Sequence, residues 1–231
     1  MKNAPEFTSR MSRGETAAAL IYLPIHAAIL PIVLVLLLIG RMDTADINFI
    51  AYAIGFVYML LFEWKFLRRE FNSLCDRPLD CFVQVLICYG LMLGLGLCVN
   101  SLMLLLGFDS NPNNTAVIDI AEVKMGATTA LAVFLAPMVE ELIFRGGLFS
   151  LLRRYNRLLA YVVNILIFGL YHIWSSVIDS PINLIYIIQY IPATYALCRC
   201  YERTNSIWAG IFLHMLNNGM SLLMLNLLGG V

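Results

Sequence analysis

Charge is what this chain lacks. Only 13% of its 231 residues are Asp, Glu, Lys or Arg, where a soluble domain carries about 25%. Basic and acidic residues number 15 each, so the formal net charge is zero. No basic face suggests nucleic acid, and no acidic tail suggests a soluble partner. Histidine is rarer still, with three in the whole chain. There is no GxSxG, no HExxH and no Ser-Lys arrangement, which removes the common serine hydrolases and zincins. Six cysteines (Cys75, Cys81, Cys88, Cys98, Cys198, Cys200) show neither a CxxC pair nor zinc-finger spacing, and read as reduced structural residues.

What is abundant is apolar. Hydrophobic residues make up 61% of the chain, against roughly 45–50% for a soluble domain. A soluble fold of this size has no interior able to hide that surface, so the expected solvent is lipid. A spanning helix needs about 20 mostly apolar residues, and the sequence offers runs near 16–40, 47–67, 81–106, 126–150, 158–178, 182–200 and 206–229. The expected fold is an all-α polytopic membrane protein of about seven transmembrane helices. Alternating the loops places 13 of the 15 basic residues on one side, Lys2 and Arg145 among them, and only Arg41 and Lys124 on the other. The positive-inside rule then puts the N-terminus in and the C-terminus out. The first run is too long for a signal peptide and no small-residue cleavage site follows it. If the host is prokaryotic, the plasma membrane is the expected location.

The polar stretch FDSNPNNTAVIDIAEVKMG is rich in Asn and Asp and reads as loop. It divides the chain into three N-terminal helices (1–107), an extracytoplasmic loop (108–125) and a four-helix core (126–231). The first part is nearly featureless inside. His26, between Pro24 and Pro31, reads as a satisfied packing histidine. The core carries Glu140, Glu141, Arg145, Asn164, His172, Gln189, His214, Asn217 and Asn218. Each ionisable group at a helix centre costs roughly 2.5–3.5 kcal/mol on insertion scales, so three within six residues need partners.

Helical geometry supplies the first partner. Glu141 and Arg145 are four apart, with Glu on the N-terminal side, the favourable order for an ion pair. Glu140 is rotated about 100° away and is left over. That leftover carboxylate is the candidate base. Residue 156 lies midway between 140 and 172, so a helical hairpin brings His172 level with Glu140. Phe168 is one turn from His172, and His214 and Asn218 share a face of the last helix. Two imidazoles can ligate zinc or hydrogen-bond a water, beside a carboxylate that takes the water's proton. Asn218 can stabilise an oxyanion or complete a ligand set. One depth disagrees: His214 lies only about ten residues from the turn at 201–205, His172 about sixteen from its own, a difference of about 9 Å. Asn164 and Gln189 read as groups that polarise the cavity or, the commoner use, hydrogen-bond between helices; Asn217 reads as packing, and Gly146 and Gly147 as sites of close helix approach.

In order and spacing, EELIFR (EExxxR), FGLYH (FxxxH) and HMLNN (HxxxN) resemble the CPBP family, which includes CAAX prenyl endopeptidases and bacteriocin-processing enzymes. The likeness extends over about 126–229. YERTNSIWAGIFLHMLNN resembles the family's approach to its last motif, with Thr204-Asn205-Ser206 where Thr-Gly-Ser is common. In IPATYALCRCYERT the glycines often found in the family's sixth span are replaced. The resemblance implies an intramembrane endopeptidase in which Glu140 activates water and Glu141 and Arg145 support it. His172 and His214 would bind or orient that water, directly or through a zinc ion, and Asn218 would stabilise the oxyanion. The implied partners are membrane lipid and a membrane-associated or lipid-modified peptide or protein substrate, not nucleic acid. The alternative is a non-proteolytic immunity or sensor-scaffold protein that keeps the fold. A small transporter fits less well, since no inverted repeat is visible.

Overall fold

In the computed structural model, residues 6–108 and 110–229 are described; Lys2 and Asp109, which entered the expectations above, lie outside them. The described residues form seven helices and no strand: α1 (Arg13–Leu38), α2 (Thr44–Asp76), α3 (Pro78–Leu105), α4 (Pro112–Arg153), α5 (Arg157–Asp179), α6 (Ile187–Thr204) and α7 (Ile207–Gly229). All but α6 are long and apolar enough to cross a membrane. α6 covers only 18 residues and carries Arg199, Glu202 and Arg203, and a 3₁₀ turn at Pro181–Tyr186 replaces the start of its expected run. The outward faces are aliphatic: Leu36, Leu61, Leu97 and Leu105 all stand exposed, which fits lipid and no other solvent. All six cysteines are free.

Residues 112–125, expected as loop, are helical. Asn111 caps the start, its Oδ1 accepting from the Asn113 amide at 3.0 Å, and Pro112 sits in the first turn. Asn-Pro suits a loop, but it suits a helix start equally well. The helix then continues for 42 residues to Arg153, bending at Lys124 (φ −135°, ψ 51°). Lys124 ties that bend to α2 by ion pairs with Asp43 (2.7 Å) and Asp46 (2.6 Å).

The core is built around the middle of α4. Leu142, Ile143, Phe144 and Phe149 pack with Met59 and Phe66 of α2, Phe168 of α5 and Ile211 of α7. α1 and the segment before it lie against the same stretch, where Gly147 and Gly146 leave room for them. A Cβ on Gly146 would stand 2.5 Å from Met11 Cε, and one on Gly147 would stand 3.1 Å from Ala19 Cβ. The end of the α4–α5 hairpin is fixed to α6 by Glu202, which accepts from Arg153 (2.6 Å), Arg157 (2.8 Å) and Tyr161 (2.9 Å). Burial alone would raise the Glu202 carboxyl, but these donors hold it down at about 2.

The turn between α6 and α7 is not at the surface. Thr204, Asn205 and Ser206 are buried beneath the extended residues 6–12. Asn205 adopts a left-handed conformation (φ 53°), a backbone state that glycine takes up most easily. Asparagine is the side chain that tolerates it next best, and here it does more. Its Oδ1 accepts from the amides of Thr8 (2.7 Å) and Ser9 (3.2 Å), and its Nδ2 donates to the Glu6 carbonyl. A turn sunk under this strap cannot serve as a depth marker, which removes the 9 Å disagreement for His214.

Candidate active site

The two motif glutamates sit on a short α-helical piece, Ala136–Glu141, between two π-helical stretches, Ala130–Leu135 and Leu142–Phe149. Such widened turns concentrate at functional sites. Here one of them has a traceable cause. The Ala136 amide bonds the Leu131 carbonyl, and Pro137 has no amide to give. The Ala132 carbonyl therefore takes its hydrogen from α7, through Asn218 Nδ2 at 2.8 Å. Asn218 also accepts from Asn217 at 3.2 Å.

Glu141 and Arg145 form the ion pair that their spacing predicts, at 3.0 Å, with both side chains fully buried. Two further contacts were not visible in sequence. The Arg145 guanidinium lies 4.3 Å over the Phe168 ring, giving the aromatic residue of FxxxH a function of its own. The same Glu141 oxygen that meets Arg145 also meets His214 Nδ1 at 2.9 Å. Gly210 permits this packing, since a Cβ there would stand 3.3 Å from the other Glu141 oxygen.

These contacts orient the imidazoles. A carboxylate only accepts, so His214 carries its hydrogen on Nδ1 and presents a lone pair on Nε2. His172 is set the same way, with Nδ1 donating to the Phe168 carbonyl at 2.8 Å. Both Nε2 atoms face Glu140 Oε2, His172 at 3.7 Å and His214 at 3.9 Å. That oxygen is buried and has no protein hydrogen-bond partner. The other, Oε1, accepts from Tyr52 of α2 at 2.8 Å, and Tyr52 in turn meets Tyr171 at 2.8 Å. Three acceptors thus converge on a space that one donor would fill.

Glu140, His172, His214, Asn217 and Asn218 line a cavity of about 800 Å³, together with Tyr52, Asn100, Asn111 and Gln189. Gln189 bonds Asn111 (2.9 Å) on this wall, and Asn164 instead joins α5 to the Phe144 carbonyl (2.8 Å), away from the cavity. Sequence reasoning missed Tyr52 and Tyr171. Tyrosines in apolar spans are common at membrane interfaces, so nothing local marked these two.

Residues 123–220 match the family model described as type II CAAX prenyl endopeptidase Rce1-like. The site lies in a CAAX-protease-like segment. All seven motif residues fall inside it, whereas Tyr52 and His26 lie outside. The Rce1-like family is one of proteases, and with six apolar helices the chain is an integral membrane protein. No curated protein and no solved structure matches the chain significantly.

Proposed function

We propose that this chain is an intramembrane endopeptidase, cutting a peptide bond of a membrane-associated or lipid-modified substrate with water activated by Glu140. The observation that carries this is the unpartnered Glu140 Oε2 facing two imidazole lone pairs across 3.7 and 3.9 Å inside a large cavity. A water in that space donates one hydrogen to Glu140 and the other to an imidazole. As its oxygen attacks the substrate carbonyl, Glu140 takes the proton and the carbonyl oxygen gains charge. Asn218 uses one amide hydrogen on Ala132, and its second is suited to that oxyanion. Collapse breaks the C–N bond, and Glu140 returns the proton to the departing amine. The products are a carboxylic acid and an amine, so Glu140 ends as it began.

The same donors suit a metal. Two imidazole nitrogens and a carboxylate oxygen make a catalytic zinc set with an open position, and imidazoles anchored through Nδ1 are the usual arrangement. Tetrahedral ligands at about 2 Å lie about 3.3 Å from one another. The separations here are a few tenths of an ångström wider, and among the described residues no three such side chains form a preformed cluster. His172, His214 and Glu140 would hold the ion, which would polarise the substrate carbonyl and acidify the water.

The test uses purified protein in lipid vesicles with a membrane-tethered peptide drawn from the host's own membranes. Cleavage should fall by about 100-fold or more in a His172→Ala, His214→Ala variant that still inserts. Stoichiometric zinc in the parent, lost in this variant, would assign the metal. Undiminished cleavage by the variant would overturn the role given to the two histidines, and no cleavage by the inserted parent would overturn the protease assignment and leave the scaffold.

A further inference from the structure

The family match begins at residue 123, yet the carboxylate at the centre of the site is held by a side chain far upstream. Tyr52 has one hydroxyl hydrogen and two oxygen neighbours. Glu140 Oε1 only accepts, so the hydrogen goes there, at 2.8 Å. The Tyr171 hydroxyl, also at 2.8 Å, must then be the donor to Tyr52. The result is a one-way chain, Tyr171 to Tyr52 to Glu140. It occupies one carboxylate oxygen and turns the other toward the imidazoles.

Tyr52 is itself held in place. His26 packs edge-on against its ring (centroids 4.7 Å apart, planes at 85°). Gly55, one turn along α2, leaves room for this, since a Cβ there would stand 3.3 Å from the His26 ring. His26 lies in the π-helical stretch Ile25–Ile29 that follows Pro24 in α1. Helices outside the matched segment therefore fix the base.

We propose that Tyr52 is a positioning residue for Glu140, and that Tyr171 acts on the base only through Tyr52. The inference rests on the endopeptidase reading above. Tyr52→Phe should lower kcat by about 10- to 100-fold, the range for removing an outer hydrogen-bond partner of a reactive group, with KM within about twofold. Tyr171→Phe should have a smaller effect, and the double variant should be no slower than Tyr52→Phe alone. A merely structural role would instead add the two losses or move KM. Glu140→Gln is assayed alongside. If it is inactive while Tyr52→Phe keeps its full kcat, the positioning role is overturned and the protease survives. If Glu140→Gln keeps full activity, both fall.

A separate observation concerns His26. Its side chain is 97% buried, and neither ring nitrogen has a protein hydrogen-bond partner. It borders a second cavity, about 310 Å³, behind Tyr52 and His172, lined also by Asn48, Thr128 and Ser175. At about 30 Å³ per molecule several waters fit, and a buried imidazole without partners calls for them. The geometry points to a water site at His26, a reserve beside the catalytic wall for use when peptide fills the larger cavity. Hydroxyl-radical footprinting of the protein in vesicles tests this without activity. His26 should be oxidised several-fold faster than Met59, a fully buried and intrinsically more reactive residue of α2. Equal or slower labelling would mean a dry cavity or general opening, and would overturn the site.

Discussion

Arg145→Met is expected to destabilise the protein by about 3–5 kcal/mol, the cost of breaking a buried ion pair from one side. Arg145 and Glu141 are both fully buried, so neither charge can turn to solvent when the other is lost. Methionine replaces much of the volume over Phe168 but not the attraction to its ring, and it leaves the Glu141 carboxylate with His214 as its one hydrogen-bond partner. The double variant Glu141→Gln, Arg145→Met removes both charges and keeps an acceptor for His214 Nδ1. It should recover most of the loss, a coupling that a double-mutant cycle reads directly. Unfolding in mild detergent is the measurement. A cost below about 1 kcal/mol for Arg145→Met would mean that the pair is hydrated and that the buried geometry is wrong.

The Glu141–Arg145 pair shows what the sequence could and could not deliver. Its i, i+4 spacing made the pairing legible, and by elimination Glu140 became the candidate base. The counting that set His172 level with Glu140 worked because α4 and α5 form a simple hairpin. The second partner of Glu141 was not legible: His214 is 73 residues away, and only packing brings its Nδ1 to the carboxylate. Tyr52 is more remote still, 88 residues from Glu140, in a helix whose sequence gave no polar pattern. His26 was read as a satisfied packing residue; it packs among aromatics, but its nitrogens are unsatisfied.

The helix start at Pro112 and the buried turn at 204–206 failed for a different reason. Asn-Pro and Asn-Ser carry the same local chemistry in loops, caps and left-handed turns, and tertiary contacts decide among them. For Asn205 those contacts come from residues 6–12, the far end of the chain. The role of Asn218 lay between these cases. Its place on one face with His214 was readable, but its bond to Ala132 follows from a widened turn before Pro137 that no periodicity announces.

Glu140→Gln should separate chemistry from stability more cleanly than any other change at the site. Glutamine has the same shape and still accepts from Tyr52 through its oxygen. At the position of Oε2 it presents two amide hydrogens to the Nε2 atoms of His172 and His214, both held as acceptors by the donations from their Nδ1 atoms. The buried carboxylate becomes neutral, and a donor faces the two imidazole acceptors across 3.7 and 3.9 Å in place of an unpartnered oxygen. The variant should therefore fold as well as the parent or better, the direction expected when a buried reactive charge is removed. Turnover should fall by about 10²–10⁴, because an amide cannot take a proton from water. Alanine at 140 would also stop turnover, but it leaves Tyr52 without its acceptor and opens the cavity, so it lowers stability too. The pattern to look for in vesicle turnover and detergent unfolding is thus a dead Gln variant that is at least as stable as the parent and an Ala variant that is dead and weaker. A Gln variant that unfolds as readily as the Ala one would show that the Glu140 carboxylate is held by a structural partner, and would remove the physical ground for calling it the base.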